Sequence, residues 1–378
     1  MATILFVMKY PLHRKENLQA KFDGQMTAAR ALGHTVYCIG WNREGMWLVG
    51  DGSRELLKRN AFAFMPGYDH TKIFMDLMAS VRKALSRQPI DLLYLRFMPT
   101  FAGALRAMRM LKEQGGKLVM EHPTYPREKE RARFFLRKPV FLYTDMILRY
   151  IHPMVDLYAL IGQKCDGVLD GRAAVNICNG VDVDTLPLHA PNPHIQAVNL
   201  LALASMSGWQ GYDRILRALA SYRGETEVRL HMVGSEGDGS LARWKVMAES
   251  FNLPDKVLVY GPLYGEDLDR VASACDVGIC GLAWFRYGLS SVMTLKMREF
   301  MARGIPFVYA AEDPSIPEDG RFSLRVSNDE APVDMAEIVG FAKKAKESRE
   351  VPELMREFAR AHMSWEEELR RVLERLNL

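Results

Sequence analysis

Val198-Asn-Leu-Leu-Ala-Leu203, Ser205-Met-Ser-Gly-Trp-Gln-Gly-Tyr-Asp-Arg214 and Val228-Arg-Leu-His-Met-Val233 decide the fold class of this chain. The first piece is a short, nearly uninterrupted apolar run, as a strand buried on both faces reads. The second is polar and glycine-containing, and it opens a helix predicted over 212–222. The third is a second apolar run. Strand, turn, helix and strand in this order predict a βαβ unit, and such units build parallel sheets with helices on both sides.

The same alternation extends in both directions. Downstream come a helix over 240–251 and strands over 256–260, 277–280 and 306–309. Upstream, Leu186-Pro-Leu-His-Ala-Pro-Asn-Pro193 concentrates proline and polar residues, the composition of an exposed linker. Before it lies a separate α/β series: strand 4–8, a helix with Phe22, Met26, Ala29 and Leu32 on one stripe ending at Gly33, and strand 35–39. A helical stripe from Ile73 to Leu85, strand 91–96, a helix through Leu105, Met108 and Leu111, and strand 117–121 follow. Further helices then lead to strands 158–161 and 174–178. Two Rossmann-like domains are expected, 1–188 and 194–355, with ligands in a cleft facing the carboxyl ends of their strands.

The totals agree with this division. A chain of 378 residues exceeds one ordinary core, and its 48% hydrophobic and 25% charged residues are those of a folded globular protein. A net charge of +4 permits anionic partners such as nucleotides without demanding nucleic acid, and none is expected. Cys38, Cys165, Cys178, Cys275 and Cys280 lack CxxC spacing, so neither a disulfide nor a zinc site is expected. The apolar start has no basic segment ahead of it, and 134–161 is interrupted by Arg137, Lys138, Asp145, Arg149 and Asp156. A cytoplasmic protein is expected.

Several further stretches belong together: Glu121-His-Pro-Thr-Tyr-Pro126, Asn179-Gly-Val-Asp182, Trp209-Gln-Gly-Tyr-Asp-Arg214, Leu295-Lys-Met-Arg-Glu-Phe-Met-Ala-Arg-Gly-Ile-Pro306 and Ser364-Trp-Glu366. In this order they resemble the retaining glycosyltransferases of the GT-B fold, in the large sequence family numbered four, of the kind that builds bacterial capsule, exopolysaccharide and O-antigen. The resemblance runs over nearly the whole chain. It implies an acceptor-binding first domain, a second domain that binds a nucleotide diphosphate sugar, and a tail, 356–378, that crosses back to the first. It implies no cofactor and no metal. The tail carries Trp365, Leu369, Val372, Leu373 and Leu376 along one side, as an amphipathic helix requires.

On the donor side the resemblance points to Trp209, Gln210, Gly211 and Gly234, and to the stretch from Arg286 to Glu299. Family members often carry an arginine before the 208–211 turn and a lysine just ahead of its glycine; here those places fall to 205–207 and to Gln210. Glu299 matches the acid assigned to the nucleotide ribose, and the acid expected eight positions earlier is replaced by Ser291. Ser290, Ser291 and Thr294 suit a helix start whose N–H groups face an anion, with Arg286 and Lys296 supplying charge. By spacing alone, Lys296 and Glu299 equally suit a solvated surface pair.

On the acceptor side, Glu121 and His122 end a strand where a catalytic or acceptor-positioning group is expected, and Tyr125 lies in the same loop. A structural histidine is the plainer alternative. Lys9, Tyr10 and Lys21 follow the first strand, where the family touches phosphate and acceptor. Arg127, Lys129, Arg131, Arg133, Arg137 and Lys138 stand among Phe134, Phe135, Phe141, Tyr143 and Leu148. That mixture suits either contact with an anionic membrane through 127–150, where a polyprenyl-diphosphate-linked glycan would be met, or solvated faces of helices. Two rival functions remain at this stage: a non-catalytic GT-B protein that binds a sugar nucleotide or a partner transferase, and a sugar-nucleotide epimerase on the same plan.

Overall fold

The structure, a computed structural model, describes residues 1–13, 18–60, 72–99, 102–125, 138–162, 167–190, 197–318 and 320–378, without the side chains at 124, 125, 138, 140, 141 and 162. It divides into two compact α/β units: Met1–Gly180 with Trp365–Leu378, and Val181–Ser364.

The first unit carries strands β1 (Thr3–Pro11), β2 (Thr35–Trp41), β3 (Gly45–Gly50), β4 (Ser53–Arg59), β5 (Leu92–Arg96), β6 (Lys117–Tyr125), β7 (Leu157–Gly162), β8 (Val168–Leu169) and β9 (Arg172–Ile177). They form one sheet in the order β4-β3-β2-β1-β5-β6-β7-β9-β8. Its centre, β2-β1-β5-β6-β7-β9, is parallel. Helices α1 (Gln19–Ala31), α2 (Lys72–Leu85), α3 (Ala102–Glu113) and α4 (Lys138–Ile151) accompany it. Residues 4 to 8 of β1 are all buried, the condition of a strand covered on both faces. The antiparallel hairpin β3–β4 at the edge is an addition to the expected alternation. Its signal was present, because Asp51-Gly52 is a two-residue connection between strand-like runs and Gly52 takes φ +70°.

The second unit carries β10 (Val198–Leu203), β11 (Val228–Val233), β12 (Val257–Gly261), β13 (Val277–Ile279), β14 (Phe307–Tyr309) and β15 (Ser323–Arg325). All neighbours are parallel in the order β12-β11-β10-β13-β14-β15, the doubly wound arrangement. Helices α5 (Tyr212–Ser221), α6 (Ser240–Ser250), α7 (Glu266–Ser273), α8 (Leu295–Arg303), α9 (Met335–Glu347) and α10 (Val351–His362) accompany it. Successive residues of β10 serve different cores, Leu200 and Ala202 one, Leu201 the other, as a period of two dictates.

The division differs from the expected boundaries at 188 and 356. The 186–190 stretch belongs to the second unit: the His189 N–H donates to the Arg303 carbonyl at 2.7 Å, and the Val181 N–H to that of Met363 at 2.9 Å. α10 also belongs there, its Arg356 Nε donating to the Ala302 carbonyl at 2.9 Å. Only α11 (Trp365–Arg375) and the residues after it join the first unit. There Trp365 wedges between two glycines: a Cβ on Gly24 would stand 2.3 Å from the indole, and one on Gly180 2.5 Å. Glu368 accepts a hydrogen bond from the Cys178 N–H at 2.9 Å. Trp365→Ala should therefore cost about 3–5 kcal/mol, read as a lower urea midpoint, because the cavity is lined by backbone that cannot collapse. A loss below about 1 kcal/mol would mean that the tail is dispensable to the unit.

Candidate functional site

In the second unit β10 and β13 are neighbours from which the chain winds in opposite directions, and the loops after them meet at the carboxyl edge of the sheet. The loop after β10 forms the turn Gly208–Gln210, and Gly211 takes φ +68° to enter α5. A Cβ there would lie 2.9 Å from the Ala283 nitrogen. Its absence lets the Leu282 N–H reach the Gln210 carbonyl at 2.8 Å. Trp209 packs on Trp284 with ring centroids 4.2 Å apart. Gly234, expected among the donor contacts, is a packing residue: a Cβ would fall 1.6 Å from the Ala204 carbonyl oxygen.

Two charged groups define what this edge can bind. Arg286, expected as a cation for the donor phosphates, is spent. Its Nε donates to Glu330 at 2.9 Å, one terminal nitrogen to the Gly208 carbonyl at 2.6 Å and to Asp213 at 3.0 Å, the other to Asp213 at 2.9 Å and Glu330 at 2.5 Å. All five guanidinium donors are used, and the bonds from Glu330 and Asp213 raise its pKa further. Arg286 clamps the turn to α5.

Lys296 is different. Its ammonium donates to the Gln210 amide oxygen and to the Tyr212 hydroxyl, both at 2.9 Å, and neither acceptor carries charge. Half-buried, it is pulled by desolvation to about 8, which Cys280 and Glu299 oppose. Lys296 and Glu299 do not form the surface pair that their spacing allows, because Glu299 accepts instead from Arg303 at 2.9 Å.

Lys296 sits in the first turn of α8, which Thr294 caps by accepting from the Met297 N–H at 3.4 Å. Ser290 and Ser291 precede it, exposed, their backbone pinned where the Glu312 N–H meets the Ser290 carbonyl and the Val292 N–H meets that of Glu312, both at 2.8 Å. By contrast, the amino end of α6 is filled from within: Glu236 accepts from the N–H groups of Gly237, Asp238, Gly239, Leu241 and Ala242. A half-buried cation, exposed hydroxyls and a helix amino end together suit an anion of the size of a diphosphate.

In the first unit the expected catalytic Glu121 is wholly buried and saturated. It accepts from Lys21 at 2.8 Å, Gln25 at 2.7 Å, Tyr94 at 2.9 Å and Arg96 at 2.7 Å. Burial alone would push its carboxyl up; the Lys21 and Arg96 charges and the hydrogen bonds hold it at about 2. Burial likewise pulls Lys21 to about 8, against the pull of Glu121. Glu121 and Lys21 thus form a buried ion pair. His122 is buried, stacked on Phe97 at 4.9 Å and inclined to Tyr158 at 5.5 Å, the packing of a structural histidine. Lys9 is half-buried on β1, and the Tyr10 hydroxyl donates to Asp23 at 2.5 Å. The Tyr125 side chain and residues 127–137 lie outside the described residues.

Residues 197–341 match the family model of glycosyl transferases group 1. Over 99% of its length the chain is similar to a sucrose-phosphate synthase from Thermosynechococcus elongatus, covering 98% of that chain at 14% identity and a TM-score of 0.71. HepE of Anabaena in complex with UDP is similar over 100% of both chains, at 14% identity and a TM-score of 0.63. The catalytic domain of starch synthase IV from Arabidopsis thaliana, bound to ADP and acarbose, is similar over 99% of this chain and 98% of that one, at 11% identity and a TM-score of 0.63. The fold is GT-B. No curated protein sequence matches the chain.

Within this GT-B frame the residues that sequence reading missed are the partners. Tyr212 and Asp213 were read as part of a motif, yet their roles are to receive Lys296 and Arg286. Gln25, Tyr94 and Arg96 completed the shell of Glu121 unannounced, since nothing in a local pattern marks them. Glu121→Gln should cost about 3–5 kcal/mol, because it leaves the buried Lys21 and the half-buried Arg96 without their counter-charge. The sign in pH follows from a folded pKa below the unfolded one: the stabilisation is complete above about 4.5 and is lost as pH falls towards about 2. Urea midpoints from pH 7 to pH 3 should fall in the parent by more than in Glu121→Gln.

Proposed function

We propose that this chain is a retaining, metal-independent glycosyltransferase that moves a sugar from a nucleoside diphosphate sugar to a lipid-linked polysaccharide acceptor in cell-surface glycan synthesis. The observation that carries the reading is the Lys296 ammonium, held by two neutral acceptors in the first turn of α8, with the exposed Ser290 and Ser291 just ahead of that helix. Sugar transfer from such a donor builds negative charge on the departing diphosphate, and donors fixed in advance stabilise that charge without reorganisation. Here they are Lys296, the first N–H groups of α8 and the two serine hydroxyls. Glu299 would take the ribose, as the resemblance implies. Trp209, Gln210, Gly211 and Gly234 form the wall behind the donor rather than its contacts.

The neighbours support the donor class. The HepE structures hold UDP or UDP-glucose, and the starch synthase structure holds ADP. The first unit takes the acceptor in this reading, through Lys9, Tyr10, Tyr125 and the face near His122, with Glu121 and Lys21 as its internal brace. No described helix is long and apolar enough to cross a membrane. α4 does expose Leu142, Tyr143, Met146 and Tyr150, with the basic 127–138 segment just ahead of it in sequence. This favours adsorption to the inner face of the cytoplasmic membrane, where a lipid-linked acceptor is met.

A second reading, a GT-B protein that binds a sugar nucleotide or partner without turnover, is favoured by Ser291 in place of an acid and by the saturation of Arg286. Thermal-shift and calorimetric titration with UDP-, GDP-, dTDP- and ADP-sugars and the free diphosphates, without metal, tests the first. One nucleotide series should bind and raise the melting temperature, and its affinity should fall as pH rises through about 8, where Lys296 loses its proton. Absence of binding to every series sinks the reading. Binding without release of nucleoside diphosphate in the presence of a lipid-linked glycan acceptor selects the second.

A further inference from the structure

Three carboxylates on the elements that frame the candidate donor site are committed to guanidinium groups. On α5, Asp213 is held by Arg286 at 2.9 Å and by Arg217 at 3.1 Å. On α8, Glu299 is held by Arg303 at 2.9 Å. After β14, Asp313 is buried in an ion pair with Arg298. Lys296 lies among these same elements, and among the described residues no carboxylate comes within ion-pair range of it.

Its position is unfavourable on two further counts. A cation in the first turn of a helix opposes the helix dipole, and α8 carries no acidic residue in that turn. The ammonium is also half-buried, so part of its hydration is lost. What holds it is neutral and well fixed. The Gln210 side chain is 2% exposed, with its amide nitrogen directed to the Ser205 carbonyl at 3.4 Å, which turns the amide oxygen towards Lys296. Tyr212 is fully buried and donates its one hydroxyl proton to the Ile279 carbonyl at 3.3 Å, leaving a lone pair for the ammonium. Both residues border Gly211, the turn between β10 and α5.

We propose that Gln210 and Tyr212 are positioning residues that aim Lys296 while leaving its charge uncompensated, so that the missing counter-charge is supplied by the diphosphate of the donor. The proposal rests on the reading of this edge as a nucleoside diphosphate site. It makes the neutrality of residue 210, rather than its hydrogen bond, the determinant of affinity. An acceptor that is anionic would hold Lys296 equally well and cancel it.

Gln210→Glu is the test, because it keeps the length of the side chain and the acceptor that faces Lys296, makes that acceptor anionic, and gives up only the long contact to the Ser205 carbonyl. The variant should bind whichever of UDP, GDP, dTDP and ADP the parent binds at least tenfold more weakly. Its affinity for the matching nucleoside should change less than twofold. Lys296→Met should behave in the same way on both counts, and Tyr212→Phe, which keeps the ring and removes one acceptor, should weaken the diphosphate about threefold or more.

A Gln210→Glu variant that binds the diphosphate as tightly as the parent overturns the proposal while leaving the donor reading intact. Equal weakening of nucleoside and diphosphate overturns it as well, by showing a general distortion of the pocket. If the parent binds none of the four diphosphates, the donor reading fails and this inference fails with it.

Discussion

Parallel strands covered on both faces leave almost no place for polar side chains along their length, so charge collects where the strands end. Both units obey this constraint, and they resolve it in opposite ways. Where β5 ends in the first unit, Arg96 lies in register with Glu121 of β6, and Lys21 and Gln25 reach the same carboxylate from α1. The result is a closed shell, with every lone pair of Glu121 facing a donor. In the second unit the corresponding edge is left open around one cation.

That openness depends on how the neighbouring arginines are used. Arg286 joins the turn after β10, α5 and Glu330 by five bonds, and Arg298 joins α8 to the loop after β14. Arg303 ties α8 to Asp269 of α7 at 2.7 Å. These clamps hold rigid the loops that frame Lys296, and they take the acidic groups that would otherwise neutralise it. A binding site with a single uncompensated charge is stable only if its walls are fixed by interactions that do not involve that charge. Glu236 fills the amino end of α6 in the same self-contained way, by accepting from its backbone N–H groups.

The candidate residues whose roles changed share one feature. Glu121, Lys21 and Arg286 were singled out because they are ionisable residues near strand ends; Glu121 and Arg286 are saturated by the protein itself, and Lys21 has its counter-charge in Glu121. Residue type reports that a charge exists, whereas its availability depends on what faces it. Gly234 is a parallel case, since its importance comes from the Ala204 carbonyl beside it rather than from a ligand.

The sequence by itself determined the alternation of strands and helices, the existence of two α/β units and the apolar stripe of the tail. All of these are local: a period of two or of 3.6 residues, a cap, a glycine after a helix. It placed the boundary at 188 because proline-rich composition marks exposure, and that at 356 on the resemblance, while the hydrogen bonds of Val181, His189 and Arg356 that tie those residues to the second unit join distant parts of the chain. Tertiary structure alone decided which charges remained available. Lys21 and Glu121 are 100 positions apart, Arg286 and Asp213 are 73 apart, and Lys296 and Gln210 are 86 apart. Pairing at 3 Å between residues so far apart follows from the packing of whole elements, and no local pattern encodes it.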